Sequence, residues 1–163
     1  MNEQVLKSVV ADFDPAPGLS KSRSAIKRKL SAMKGMFHDK FAFDAALKSG
    51  DRLVYEFFDM GVPHSEKDVA YGTSITYPGK VGDEYHMTKG HFHTVIDTAE
   101  VYYCLRGHGY MMMENPEGLV EAREHDVGRE GQAAARVGAD LIHARFLGDE
   151  PADEPVHLVE QAA

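Results

Sequence analysis

Two hydrophobic rhythms meet near Gly50. Between Ser20 and Lys34, Ile26, Leu30 and Met33 recur at spacings of four and three among lysines and arginines, which predicts an amphipathic helix capped by Ser20 or Ser22. Phe41 to Lys48 predicts a second short helix, closed by a glycine C-cap at Gly50. The first 19 residues, broken by Asp14-Pro15-Ala16-Pro17-Gly18, predict an irregular arm. Beyond Gly50 the chain turns to runs of aromatic and β-branched residues bounded by Gly and Pro. Arg52–Phe58, Val69–Thr76, Glu100–Leu105, Tyr110–Glu114, Leu119–Arg123 and Pro155–Val159 all read as strands. Arg106-Gly-His-Gly109 carries a hairpin signal, because glycine accepts the positive φ of such turns, and Asn115-Pro-Glu-Gly118 is a second turn. Short strands spaced by roughly 8 to 12 residues predict an all-β barrel or sandwich with a short helical N-terminal appendage. No repeat or interdomain linker interrupts the chain. The expectation is one domain over 1–163, with an arm and short helices at 1–50 and a barrel at 51–163.

Composition narrows the class. With 163 residues, 43% hydrophobic and 27% charged, and a net charge of -8, the sequence has the make-up of an ordinary soluble acidic protein. Acidity disfavours nucleic acid as a partner, since phosphate backbones select basic surfaces. The basic residues Lys21, Arg23, Lys27, Arg28, Lys29 and Lys34 read as a solvated face. No apolar run approaches a membrane span and no signal-peptide pattern opens the chain, so no membrane partner and a cytoplasmic location are expected. Cys104 is the only cysteine, which excludes an intrachain disulfide and a cysteine-built zinc site. Any metal must be held by histidine and carboxylate.

Those donors concentrate between Thr76 and Gly109. His91 and His93 stand two apart, so on a strand both imidazoles project to one side. Glu100 follows in an H-x-H-x6-E array and can add a carboxylate from the next strand. Two imidazoles and one hard oxygen suit iron, manganese, nickel or zinc and leave coordination positions open. His38, His64, His86, His108 and His125 read as surface or supporting residues, with His86 nearest the array, and His157 as structural. Pro78-Gly-Lys-Val-Gly82 lacks the phosphate-loop pattern and reads as a strand connection; Met111, Met112 and Met113 read as core. Neither G-x-S-x-G nor H-E-x-x-H occurs.

Thr76-Tyr-Pro-Gly-Lys-Val-Gly-Asp-Glu-Tyr85, Thr88-Lys-Gly-His-Phe-His93, Ala99-Glu-Val-Tyr102 and the Arg106-Gly-His-Gly turn closely resemble the archaeal-type, metal-dependent glucose-6-phosphate isomerases of the cupin superfamily. The likeness runs from about Leu30 through Lys34-Gly-Met-Phe37 to Gly118. It implies a cupin double-stranded β-helix, or jelly-roll, barrel, a homodimer, and interconversion of glucose 6-phosphate and fructose 6-phosphate in glycolysis and gluconeogenesis. It implies iron(II) as the metal, with His91, His93 and Glu100 as three of four ligands. The natural candidate for the fourth is His143, ahead of Gly148-Asp-Glu-Pro151, although the family's P-P-x-W-A-H-R pattern lacks its prolines and tryptophan here. Thr88 and Gly90 are implied at the substrate phosphate; Tyr55, Thr73 and Tyr102 are expected pocket-wall groups.

Isomerisation then needs a hydrogen moved between C1 and C2 of the open-chain sugar. Glu100 is expected to ligate the metal and to serve as the base of a cis-enediol route; a direct hydride shift would use the same residues. Two other readings stay open. Two histidines and a carboxylate also describe non-haem iron dioxygenases, which cupins include. The irregular 131–147 segment and the end of the chain at Ala163, where family members commonly continue, also admit a non-catalytic sugar-phosphate or metal-binding cupin.

Overall fold

The computed structural model describes residues 13–14, 19–20, 25–59, 70–91, 100–115, 117–126, 141–145 and 156–162. Strands dominate: β1 (Phe13–Asp14), β2 (Leu19–Ser20), β3 (Ile26–Lys29), β4 (Leu53–Asp59), β5 (Ala70–Thr76), β6 (Lys80–Val81), β7 (Glu84–Tyr85), β8 (Glu100–Arg106), β9 (His108–Glu114), β10 (Val120–Asp126), β11 (Leu141–Arg145) and β12 (Val156–Ala162). One 3-10 turn, Leu30–Met33, and one helix, α1 (Lys40–Ser49), accompany them. The larger sheet has the order β3-β4-β5-β12-β8 and the smaller β10-β9-β11. All pairings in both are antiparallel, and β10 touches β8 where the sheets meet. Two antiparallel sheets with strand orders that depart from sequence order fit the expected double-stranded β-helix.

Around Gly50 the expected elements appear. Asp39 caps α1 by accepting from the Ala42 N–H at 2.9 Å, and Gly50 closes it with an N–H donated to the Leu47 carbonyl. The Glu84 carboxylate, on β7, accepts from the His38 N–H at 2.6 Å and so ties the start of the helix to the β6–β7 hairpin. Phe43 turns inward and stacks on Phe37 at 5.9 Å between centroids.

Two expectations are corrected. The stretch from Ser20 to Lys34 is not one helix: residues 26–29 form the edge strand β3, and the tight turn after it follows. Tertiary packing decides this against local periodicity. Pairing with β4 sets Lys27 opposite Glu56, and the turn seats Leu30 and Met33, both fully buried, in the core. The Leu30 N–H meets the Arg52 carbonyl at 2.8 Å, while Asp51 accepts from the Ser31 N–H and hydroxyl at 2.8 and 2.9 Å. The Arg106–Gly109 turn also joins no hairpin. Gly107, at φ 87°, bends the chain there, but β8 pairs with β12 whereas β9 pairs with β10 and β11. The glycine therefore carries the chain from one sheet to the other. Asn115–Gly118 is the real hairpin turn of this region, linking β9 to β10 with a Gly118 N–H to Asn115 carbonyl bond of 2.9 Å.

A core of Leu30, Met33, Phe37, Phe43, Val54, Tyr55, Val81 and Met87 locks the turn, α1, β4 and the β6–β7 region together. Among the described residues no helix is long and apolar enough to cross a membrane. Leu30→Ala removes a fully buried side chain and leaves a cavity, so it is expected to cost about 2–5 kcal/mol. Denaturant unfolding checks this: the midpoint should fall at unchanged slope, and an unmoved midpoint would contradict the packing.

Candidate active site

Directly opposed residues of an antiparallel pair share a face, so register sorts the expected residues of the larger sheet. One row runs Tyr55, Thr76, Val156; the next Phe57, Ser74, Leu158, Cys104; then Asp59, Gly72, Glu160, Tyr102; then Ala70, Ala162, Glu100. Rows are two residues apart, on the order of 7 Å. Glu100, Tyr102 and Tyr55 therefore occupy one face, Glu100 a single row from Tyr102 and Tyr55 at the far end. Tyr55, Ser74, Thr76, Tyr102 and Cys104 of that face are all buried. Gly72 leaves room there for the Phe57 ring, whose Cε2 would lie 2.5 Å from any Cβ added to it.

Thr73 stands on the opposite face, in a row with Phe58, Val159 and the exposed Tyr103. From β5, the hydroxyl residues in the rows that share the face of Glu100 are Ser74 and Thr76. Sequence reading passed over both, because Thr73-Ser74-Ile75-Thr76 offers a hydroxyl to either face and only the pairing register decides which. The Thr76 hydroxyl is buried and has no hydrogen-bond partner among the described residues.

The metal array is described in part. Thr88 and Gly90 are half-buried and His91 is exposed, just beyond the β6–β7 hairpin. His93 lies outside the described residues. Glu100 opens β8. His143 sits in β11 opposite Met112, so its register position shares Met112's face, while Ile142 and Ala144 oppose the buried Met113 and Met111. Among the described residues no three histidine, cysteine or carboxylate groups come together as a metal cluster. Of the array, only the His91 side chain is among those described.

The best-defined polar network lies at the root of this segment. Tyr77, directly after β5, is held at three points. Its N–H donates to the Val54 carbonyl at 2.9 Å, its hydroxyl donates to Glu56 Oε2 at 3.0 Å, and its carbonyl faces His86 Nδ1 at 2.9 Å. Glu56, itself buried, is neutralised by Lys27 Nζ at 2.8 Å. Burial, reinforced by the Glu56 carboxylate, pushes the Tyr77 phenol up to about 12, so it stays a donor. The His86 ring is 2% exposed and lies against Gly79, where an added Cβ would meet its Cε1 at 2.4 Å. Since a carbonyl only accepts, Nδ1 carries the proton, which leaves Nε2 as a buried atom with no partner among the described residues. Sequence reading named His86 only for its nearness to the array. The available signal was Gly79, five positions beyond which Glu84 and Tyr85 lead straight into the histidine.

Residues 27–133 match the glucose-6-phosphate isomerase (GPI) family, a range that holds His91, His93 and Glu100 and stops before His143. A glucose-6-phosphate isomerase of Thermococcus litoralis is 44% identical over 115 residues, covering 71% of this chain and 58% of that protein. One from Pyrococcus abyssi is 44% identical over 117 residues, covering 71% and 59%. One from Sinorhizobium medicae is 37% identical over 103 residues, covering 63% and 48%. The chain thus spans about half to three-fifths of the length of these relatives. Among solved structures, oxalate decarboxylase from Bacillus subtilis at pH 4.6 aligns with a TM-score of 0.47 at 18% identity, over 66% of this chain and 25% of that one.

Burial holds the His86 imidazole below its ordinary value of 6.5. Between that lowered value and 6.5, the unfolded chain binds a proton that the folded chain refuses. Stability must then rise with pH in this window and fall as pH drops below 6.5, by at most about 1.4 kcal/mol per pH unit from this residue. Denaturant melts from about pH 7.5 to about pH 5 should show a steeper loss in the wild type than in His86→Asn. Parallel curves would contradict the buried neutral imidazole.

Proposed function

Because the chain belongs to the glucose-6-phosphate isomerase family, we propose that it interconverts glucose 6-phosphate and fructose 6-phosphate with the help of one divalent metal ion, iron(II) in the cell. The observation that carries this reading is the sheet register, which sets Glu100 on the same buried face as Tyr102, Ser74 and Tyr55. The family match covers the Thr88-Lys-Gly-His-Phe-His93 segment, which we take as the other part of the site.

The donor set fits such an ion. His91, His93 and Glu100 offer two imidazoles and a carboxylate, which suit a borderline divalent metal and leave positions open for a carbonyl and a hydroxyl. When bound, the ion supplies Lewis-acid polarisation of the substrate oxygens. The reading needs these three ligands and does not depend on His143.

The remaining steps belong to the chain. Thr88 and Gly90 offer a hydroxyl and a backbone N–H to the phosphate and fix the sugar end-on. Tyr102 and Ser74, buried on the Glu100 face, exclude water and line the sugar; a dry wall strengthens each polar contact made across it. Glu100 removes the C2 proton of the open-chain aldose and returns it to C1, while the O2 hydroxyl proton passes to O1, so the atoms balance. The base and the proton's destination are adjacent, and one carboxylate serves both.

Glu100→Gln keeps size and hydrogen bonding but abolishes basicity, and is expected to lower isomerisation by about 10²–10⁴-fold without moving the unfolding midpoint. An assay coupled to glucose 6-phosphate formation checks this. A chelator should silence the wild type, and iron(II) or manganese should restore it. In deuterated water, product gains solvent deuterium to the extent that the proton held on Glu100 exchanges before its return to C1; a Glu100→Gln variant with near-normal turnover, or product wholly free of label, would count against this role.

A further inference from the structure

The segment that carries Thr88, Gly90 and His91 follows the β6–β7 hairpin and includes single-residue bridges at Met87 and His91. Its root is fixed at two consecutive residues. Met87 is 1% exposed and packs among Val54, Tyr55, Val81 and Phe43. His86 closes a ring of contacts with the turn after β5: its N–H donates to the Gly79 carbonyl at 2.8 Å, and its Nδ1–H donates to the Tyr77 carbonyl at 2.9 Å. Gly79, at φ 158°, presents bare Cα to the imidazole, and any side chain there would collide with the ring. Tyr77 in turn is pinned by Glu56 and Lys27 to β4 and β3.

We propose that His86 is a positioning residue, whose ring clamps the Tyr77–Gly79 turn to the root of the 88–91 segment and so fixes how Thr88, Gly90 and His91 are presented. The inference rests on the isomerase reading for its purpose, though not for its geometry. Apolar packing by Met87 alone has no directional preference, whereas two hydrogen bonds to carbonyls two residues apart define both the position and the rotation of the strand that leaves the clamp. The unpartnered Nε2 supports this role. A buried imidazole serving only to fill space would be better replaced by an apolar ring, since an unsatisfied polar atom costs free energy. What the histidine adds is Nδ1–H.

The test separates that atom from the ring. Asparagine can place an amide N–H where Nδ1–H lies, glutamine places it where Nε2 lies, and phenylalanine keeps the ring without a donor. Amide hydrogen exchange of the full chain reads the segment without any metal or substrate. His86→Phe and His86→Gln are expected to speed exchange at residues 88–91 by about 5- to 30-fold with the Leu30 and Val54 amides unchanged, while His86→Asn stays near wild type. In the same variants, manganese affinity measured by electron paramagnetic resonance should fall by about ten-fold in Phe and Gln and be rescued in Asn. Equal exchange in Asn and Gln would overturn the clamp, and so would wild-type exchange in Phe; if Phe does not fold, the Asn–Gln pair decides. A wild type that binds no manganese would refute the metal reading, and the exchange pattern would still decide the clamp.

Discussion

Everything near the site depends on β12 lying between β5 and β8. Glu100 begins a strand whose neighbour in sequence, β9, belongs to the other sheet, so β8 enters the larger sheet only through its bonds to β12. Those bonds also carry the register: Ala162 opposes both Glu100 and Ala70, and Glu160 opposes both Tyr102 and Gly72. A one-residue slip would exchange the two faces of β8 and send Glu100 to the side of Tyr103. Ladder hydrogen bonds of modest individual strength, acting in register, thus set which face carries the carboxylate.

The second constraint is the clamp at the foot of the 88–91 segment. The sheet supplies Glu100, Tyr102 and Ser74 from rows of paired strands, a rigid support for catalytic groups. Among the described residues the segment with Thr88, Gly90 and His91 joins no multi-residue strand, only single bridges at Met87 and His91. It takes its direction from Met87 in the core and from His86 against the Tyr77–Gly79 turn. The two parts of the proposed site are thus supported differently, one by cooperative strand pairing and the other, at its root, by the contacts of His86 and Met87.

Much of this was legible in the sequence, and what was not has identifiable causes. β4, β5, β8, β9, β10, β12 and α1 all fall where hydrophobic period and turn residues place them, because those signals are local. Pairing is non-local, so the Arg106–Gly109 turn passed for a hairpin when it is a passage between sheets. Lys27 shows the same limit: its helical spacing in sequence gave way to a strand once Glu56 lay across from it. Thr73 and Ser74 are one residue apart and on opposite faces, a difference that composition cannot carry. The H-x-H-x6-E array is a reading of residue type and spacing, of which the structure describes the His91 side chain and the register position of Glu100. The supporting His86 could not be read this way, since its meaning lies in one carbonyl and the missing side chain of Gly79.

In the function we propose, one ion, held by His91, His93 and Glu100, meets the sugar phosphate directly. Titration of the metal-free chain with manganese, followed by electron paramagnetic resonance before and after adding fructose 6-phosphate, tests it most directly. A single site per chain is expected, lost in His91→Ala, with a spectrum that changes when the sugar phosphate binds. Manganese bound equally well by His91→Ala, or a spectrum indifferent to the sugar phosphate, would contradict it.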